Sequence, residues 1–391
     1  MQSKKCLGFL VILMALLIIV TPAIGIEKIK LGGIFDMTGP VSIVGKEYAT
    51  GVMDYINFIN ESGGVGGRPI DFIWRDAQYK ISESVTAYNY LVNVEKVAAI
   101  IDWSLPEAEA LLEKMKANKI PYMCIGYGAR LTDPKRAPYV FMVGTDYSTQ
   151  SRLLIKYAKE NSKEPLRVGV IYLSVYEPEV QAIKAYCKEI GVDFVSNVTM
   201  PVSFVDLTSE MVTMKKENPN FIISIHNVGG VIQTVREARK AGMNARFGSI
   251  AWGTSELMPG LGGEMSEGTL GAQPFALWGE DVPGMKSMME VQKKYHPDVK
   301  TQTIAYTQGW VTAMAMIEAI RKAGENPTGE KIKEAFETFR NFDTRGLSAP
   351  LTFTPADHRA NMSVRIYVQE KGKLVSKGFM ELERKKEWLG F

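Results

Sequence analysis

Short apolar runs recur along this chain at spacings that leave room for one amphipathic helix between successive runs. That alternation restricts the fold more than any other feature of the sequence. Ile29 to Phe35 reads as a strand, followed by the loop Asp36-Met37-Thr38-Gly39-Pro40. Tyr48, Val52, Ile56 and Ile59 share a helical face and predict a helix over about 45–60. After a glycine-rich turn, Ile70, Phe72 and Trp74 alternate as a strand, 83–94 reads as helix and Val97 to Ile101 as strand. Ser104 as cap and Pro106 in the first turn predict a helix over 106–118, before a strand at Ile120 to Ile125. The pattern then restarts, with strands at 166–172, 192–196, 221–225 and 247–251 and helices near 178–190, 206–217 and 229–241. Such βαβ runs require parallel sheets, and two runs predict two α/β, Rossmann-like lobes with a pivot near Val140–Asp146. A long apolar helix over about 301–323 follows, and 347–380 reads as short antiparallel strands.

A length of 391 residues agrees with more than one domain. The first 25 residues read as an export signal. Lys4 and Lys5 precede an uncharged run from Leu7 to Val20, and Ala23 and Gly25 fit cleavage before Ile26. A spanning helix needs about 20 apolar residues, more than this run supplies. Cys6 precedes the run and is misplaced for lipid attachment, so the expected product is soluble and periplasmic. Cys124 and Cys187 remain and are expected as separate free thiols. Lys and Arg outnumber Asp and Glu by 46 to 43, and losing Lys4 and Lys5 leaves a net charge of about +1. That balance argues against a nucleic-acid partner.

Ligands of open parallel sheets sit beyond the carboxyl ends of the strands. The loops nominated by that rule hold Thr38, Asp102, Trp103, Ser104, Gly126 and Tyr127 in the first run, and Ser174, Tyr176, His226, Asn227, Trp252 and Thr254 in the second. Aromatic rings, hydroxyls and an amide with few charges suit a small polar organic molecule. The three histidines are scattered and no catalytic motif is present, so no metal, cofactor or reaction is expected. Gly39 to Gly45-Lys46 resembles a phosphate loop but has five intervening residues, and Glu47 stands where a magnesium-binding hydroxyl belongs. The charges of Glu107 to Lys119 read as a solvated helix face.

Two blocks carry a resemblance. They are Ile29-Lys30-Leu31-Gly32-Gly33-Ile34-Phe35-Asp36-Met37-Thr38-Gly39-Pro40 with Gly45, and Ile59-Asn60-Glu61-Ser62-Gly63-Gly64-Val65-Gly66-Gly67-Arg68-Pro69-Ile70. With Ile120-Pro121-Tyr122, Ala238 to Gly242, Glu267-Gly268, Ala305-Tyr306 and Asp357-His358-Arg359, the chain resembles solute-binding proteins of ABC transporters of the branched-chain amino acid type. The resemblance implies a type I periplasmic binding fold with three hinge crossings and a ligand cleft between the lobes. Lobe I would hold 26–143 and about 272–345, and lobe II 144–271 and about 346–391. It also implies a monomer that hands a carboxylate-bearing solute, an amino acid or related organic acid, to an inner-membrane ABC permease.

By that resemblance the hydroxyl loop that holds a ligand carboxylate falls at Ser104, with Leu105 and Pro106 replacing a neighbouring hydroxyl. The next loop is Gly126-Tyr127-Gly128-Ala129, and the second-lobe tyrosine is Tyr176. Asn227 stands where an aromatic residue often sits. The acid that receives an α-ammonium is missing near Ala251–Thr254 beside Trp252, and Asp102 is the expected substitute. A sensor of the same fold that signals to a protein partner is the competing function. An enzyme using Ser104 or His226 is disfavoured, since they fall in different lobes.

Overall fold

Ile29–Phe35, apolar and almost wholly buried, forms β1 of a sheet covered on both faces. β1 lies between β2 (Ile70–Asp76) and β3 (Ile100–Asp102), and the sheet continues through β4 (Tyr122–Met123) to β5 (Val140–Phe141) in the order β2-β1-β3-β4-β5. Every pairing in it is parallel. The connecting helices are α1 (Ser42–Glu61), α2 (Ile81–Tyr90) and α3 (Leu105–Asn118). The computed structural model describes residues 27–201 and 206–391. The expected signal segment and its cleavage point lie outside them. Among the described residues no helix is long and apolar enough to cross a membrane.

The second sheet has seven strands, ordered β12-β11-β10-β9-β8-β6-β7. β6 (Arg167–Tyr172), β7 (Asp193–Thr199), β8 (Phe221–Ile225), β9 (Arg246–Ser249) and β10 (Leu270–Gln273) run parallel. β11 (Ser363–Glu370) and β12 (Lys373–Glu381) add an antiparallel hairpin. Its turn uses Lys371 and Gly372 at positive φ. Helices α4 (Tyr147–Glu160), α5 (Glu177–Glu189), α6 (Thr208–Lys216), α7 (Val228–Lys240) and the short α8 (Met258–Gly262) complete this layer. The chain then returns through α9 (Pro283–Tyr295), α10 (Ile304–Lys322) and α11 (Gly329–Phe336) before β11. It therefore passes between the layers three times: after β5, after β10 and before β11.

Several expected elements shift. The proposed pivot contains β5, and Asp146 caps α4 by accepting from the Thr149 amide (2.9 Å) and hydroxyl (2.7 Å). Neither element was expected. β5 has two residues, and α4 begins with the buried polar run Ser148, Thr149, Gln150 and Ser151, so its apolar period starts only at Leu153. In 347–380 only the stretch from Ser363 forms named strands, preceded by isolated bridges such as Phe342 with Leu351. Cys124 and Cys187 are buried free thiols.

Helix α10 seals the first layer against α1 at near backbone contact. A Cβ on Gly309 would lie 2.0 Å from the Tyr48 carbonyl oxygen, and one on Gly51 would lie 2.2 Å from that of Tyr306. Trp310 packs edge-on to Tyr55 at 5.0 Å, and the Tyr306 hydroxyl donates to Asp54 (2.6 Å). Gly309→Ala must push the helices apart, and overpacking of this kind costs about 1–3 kcal/mol or more. We expect its melting temperature to fall by roughly 1–4 °C in calorimetry. Gly260→Ala, where a Cβ meets nothing within 4 Å, serves as the near-neutral control.

Candidate functional site

Each loop at the carboxyl edge of the first sheet is fixed by its own residues. Asp36 accepts from the amides of Gly39 (2.6 Å) and Val41 (2.9 Å), while Asp76 accepts from the Met37 amide (3.0 Å) and the Thr38 hydroxyl (2.6 Å). A Cβ on Gly45 would lie 2.2 Å from the Asp36 carbonyl oxygen, so the Asp-x-x-Gly-Pro block with Gly45 shapes a loop. After β2 the chain turns through Gln78 and Tyr79, both at positive φ. After β3, Asp102 Oδ2 accepts from the Ser104 amide (3.1 Å), and Ser104 Oγ caps α3 by accepting from the Glu107 amide (3.4 Å). After β4, Gly126 packs so tightly that a Cβ would lie 2.5 Å from the Leu105 nitrogen.

The second sheet contributes from the opposite side. Tyr176 ends a single 3₁₀ turn after β6, and Trp252 sits in another, Ala251–Gly253, after β9. Asn227 caps α7 by accepting from the Gly230 amide (3.1 Å) and is exposed. Its carboxamide oxygen is therefore committed to the helix.

The two edges meet in a cluster of rings. Trp103 lies 5.3 Å from Trp252, and Tyr127 stacks nearly parallel to Trp252 at 6.4 Å and 7°. Tyr147, the first residue of α4, is edge-on to Tyr127 (5.8 Å) and to Tyr176 (5.4 Å), and its hydroxyl accepts from Trp252 Nε1. Of the expected site residues, Asp102, Trp103, Ser104, Tyr127, Tyr176 and Trp252 are gathered here. Gly126 supports them from behind, and Asn227 stands outside the ring cluster. Tyr147 was not expected, although the Asp146 cap before it was a usable signal.

Charge at this junction is unusual. Asp102 is fully buried, and burial, reinforced by Glu107, holds its carboxyl well above the usual range. Its Oδ1 has no hydrogen bond of ordinary geometry, although the Tyr122 hydroxyl is near enough to act on it. Glu107, expected on a solvated face, is instead buried, at only 2% exposed. The first turn of α3 tucks against β3 and α2, so its third residue points inward. Burial pushes Glu107 up to about 7, with Asp36 adding repulsion and Ser84 opposing it. Arg130, in the turn after β4, forks onto Glu109 of α3 (Nη2 to Oε2 3.1 Å) and reaches Glu179 of α5 at 3.7 Å. This ion cluster joins the two layers, and burial lifts Glu179 to about 7 as well. Glu256, the acid nearest the vacant position beside Trp252, is taken by the amides of Trp278 (2.7 Å) and Ile304 (3.0 Å).

A separate surface hollow of about 610 Å³ is lined by Trp278, Val282, Met285, Met289, Lys293 and Val299. It is built from one continuous stretch of chain, so movement of one sheet layer against the other would not gate it.

Residues 28–373 match the family model described as periplasmic binding protein. The Leu/Ile/Val-binding protein homolog 7 of Brucella abortus is 24% identical over 311 residues, covering 75% of this chain and 77% of that protein. An ABC-transporter substrate-binding protein from Aeropyrum pernix superposes with a TM-score of 0.84 at 27% identity, covering 93% and 98% of the two chains. A branched-chain amino acid ABC transporter protein from Thermus thermophilus, solved with bound valine, gives a TM-score of 0.82 at 22% identity over 91% and 96%. With the family match spanning nearly the whole described chain, and a two-sheet fold that superposes on substrate-binding proteins of ABC transporters, the chain belongs to the periplasmic binding protein family.

Proposed function

We propose that this protein is an extracytoplasmic receptor that captures a small solute between two lobes and delivers it to an inner-membrane ABC permease, acting as a monomer without catalysing a reaction. The lobes are taken as 26–143 with about 272–345, and 144–271 with about 346–391. The observation that carries the reading is the junction of Trp103 and Tyr127 with Tyr147, Tyr176 and Trp252. These rings come from the strand ends of both sheets, where a ligand would touch both lobes.

Amino acids and their relatives fit this setting, with an apolar part among the rings and an ammonium facing Asp102. The expected carboxylate seat at the start of α3 is poorly supplied with donors. The Ser104 amide is held by Asp102, the Glu107 amide by Ser104, Pro106 has no N–H, and the Leu105 nitrogen is packed against Gly126. A ligand carboxylate would then have to find its donors elsewhere in the cleft.

Ligand contacts to both lobes would supply the free energy that favours closure. Mass spectrometry of the solute released from natively purified protein would identify it. Small-angle scattering before and after its removal is expected to show expansion, and an unchanged radius of gyration would count against a clamp. Transfer of the solute to a permease in vesicles separates transport from signalling to a sensor partner.

The Arg130–Glu179 pair gives a second expectation. Arg130→Ala removes the cation that joins the layers and leaves Glu179 buried without it. Affinity is expected to weaken roughly tenfold, chiefly through faster release. Stopped-flow dissociation of the released solute checks this, and an unaltered off-rate would remove Arg130 from the closing interface.

A further inference from the structure

Asp102 and Glu107 stand apart from the other buried carboxyls of the molecule. Asp54 has Tyr306 and His296, and Asp357 is clasped by Arg359. Asp102 and Glu107 are 0% and 2% exposed, and among the described residues neither forms an ion pair. Ser104 lies between them, donating its amide to Asp102 and accepting the Glu107 amide at its hydroxyl oxygen, and the Glu107 carboxyl is near enough to act on Asp102. Each keeps one oxygen without a hydrogen bond.

A second, independent feature lies beside them. The Tyr127 hydroxyl is fully buried without a hydrogen-bond partner, in a ring stacked on Trp252. Trp252 also faces Trp103, the residue between Asp102 and Ser104. Aromatic faces attract cations through the ring quadrupole, and more strongly when water is excluded. The nearby guanidinium of Arg130 is already taken by Glu109 and Glu179. Burial favours the neutral form of both carboxyls, and a positive group placed beside them would restore their charge and pair with it, which nothing at the junction now does.

We propose that the solute is a small organic ammonium ion, and that Asp102 and Glu107 together receive its cationic group beneath the faces of Trp103, Tyr127 and Trp252. The assignment rests on the receptor reading above and narrows its ligand class. Glu107 is a specificity-determining residue in this account. Asp36, Asp102, Tyr79 and Tyr122 act on it from the loop after β1, from β3, from the loop after β2 and from β4, and all of them are neutral or negative.

The test compares choline, putrescine, lysine, leucine and isovalerate by calorimetry on the ligand-stripped full chain, with Asp102→Asn and Glu107→Gln beside the wild type. One or more of the three cations is expected to bind, isovalerate is not, and each variant is expected to lose at least tenfold in affinity for that cation. Stability separates loss of a contact from misfolding. Glu107 is raised by burial, so its favourable contribution is present below about 4.5 and is lost as pH rises through about 7. Glu107→Gln is therefore expected to melt higher than wild type at pH 8 and about level with it at pH 4. A variant that is more stable yet blind to the cation supports the proposal. Binding of leucine or isovalerate in preference to all three cations, failure of every cation, or undiminished cation affinity in Glu107→Gln overturns it. The receptor reading stands or falls separately, on whether the natively released solute compacts the protein.

Discussion

Parallel pairing is the constraint from which the rest of the molecule follows. Once β1 lies parallel to β3, and β6 parallel to β8, every strand in each run must end at the same edge, because each helix carries the chain back to the start. Residues far apart in sequence are then delivered to one line. Asp36, Asp102 and Tyr127 arrive from three strand ends of one sheet, and Tyr176 and Trp252 from two of the other. The three passages between layers hold the two edges against each other, so the site belongs to neither sheet alone.

The parts of the fold that were legible in the sequence are those where burial is one-sided or complete over several residues. β1, β2, α3, β6, β8 and α10 all lie close to their expected positions because an apolar period or a cap marks them. β5 escaped notice because two residues carry no period. α4 escaped because its hydroxyls and amide are buried against β9, β10 and β11, where hydrogen bonds replace apolar packing; Gln150, for instance, bonds to Thr145 and Ala251. The strand-end rule located most of the candidate site. It did not locate Glu107, since a charged residue on an amphipathic-looking helix gives no sign that its turn is tucked inward. Nor did it show that Asn227 serves its own helix.

The junction also departs from the rule that buried polar groups are fully hydrogen-bonded, and it does so beside a cluster of aromatic rings. Ordinary structural needs are met elsewhere by complete networks, as at Asp54 and at Asp357. The networks at Asp102, Glu107 and Glu179 are incomplete, with buried oxygens left without a hydrogen bond. Under the proposed receptor reading, these unsatisfied groups would disfavour closure of the empty protein, and a ligand that satisfies them would link occupancy to closure.

The close seam between α1 and α10 has a consequence for how the chain is made. The first sheet is complete by Phe141, but the helix that covers its core through Gly51 and Gly309 begins only at Ile304. A chain growing from its amino end carries five finished strands with an uncovered apolar flank for another 160 residues or so, a span read from the positions of these elements. The second layer, whose parallel strands are all present by Gln273, has its main sheet together sooner. Order of synthesis and order of consolidation are thus reversed for the two halves, and the first-made half spends longest without its lid.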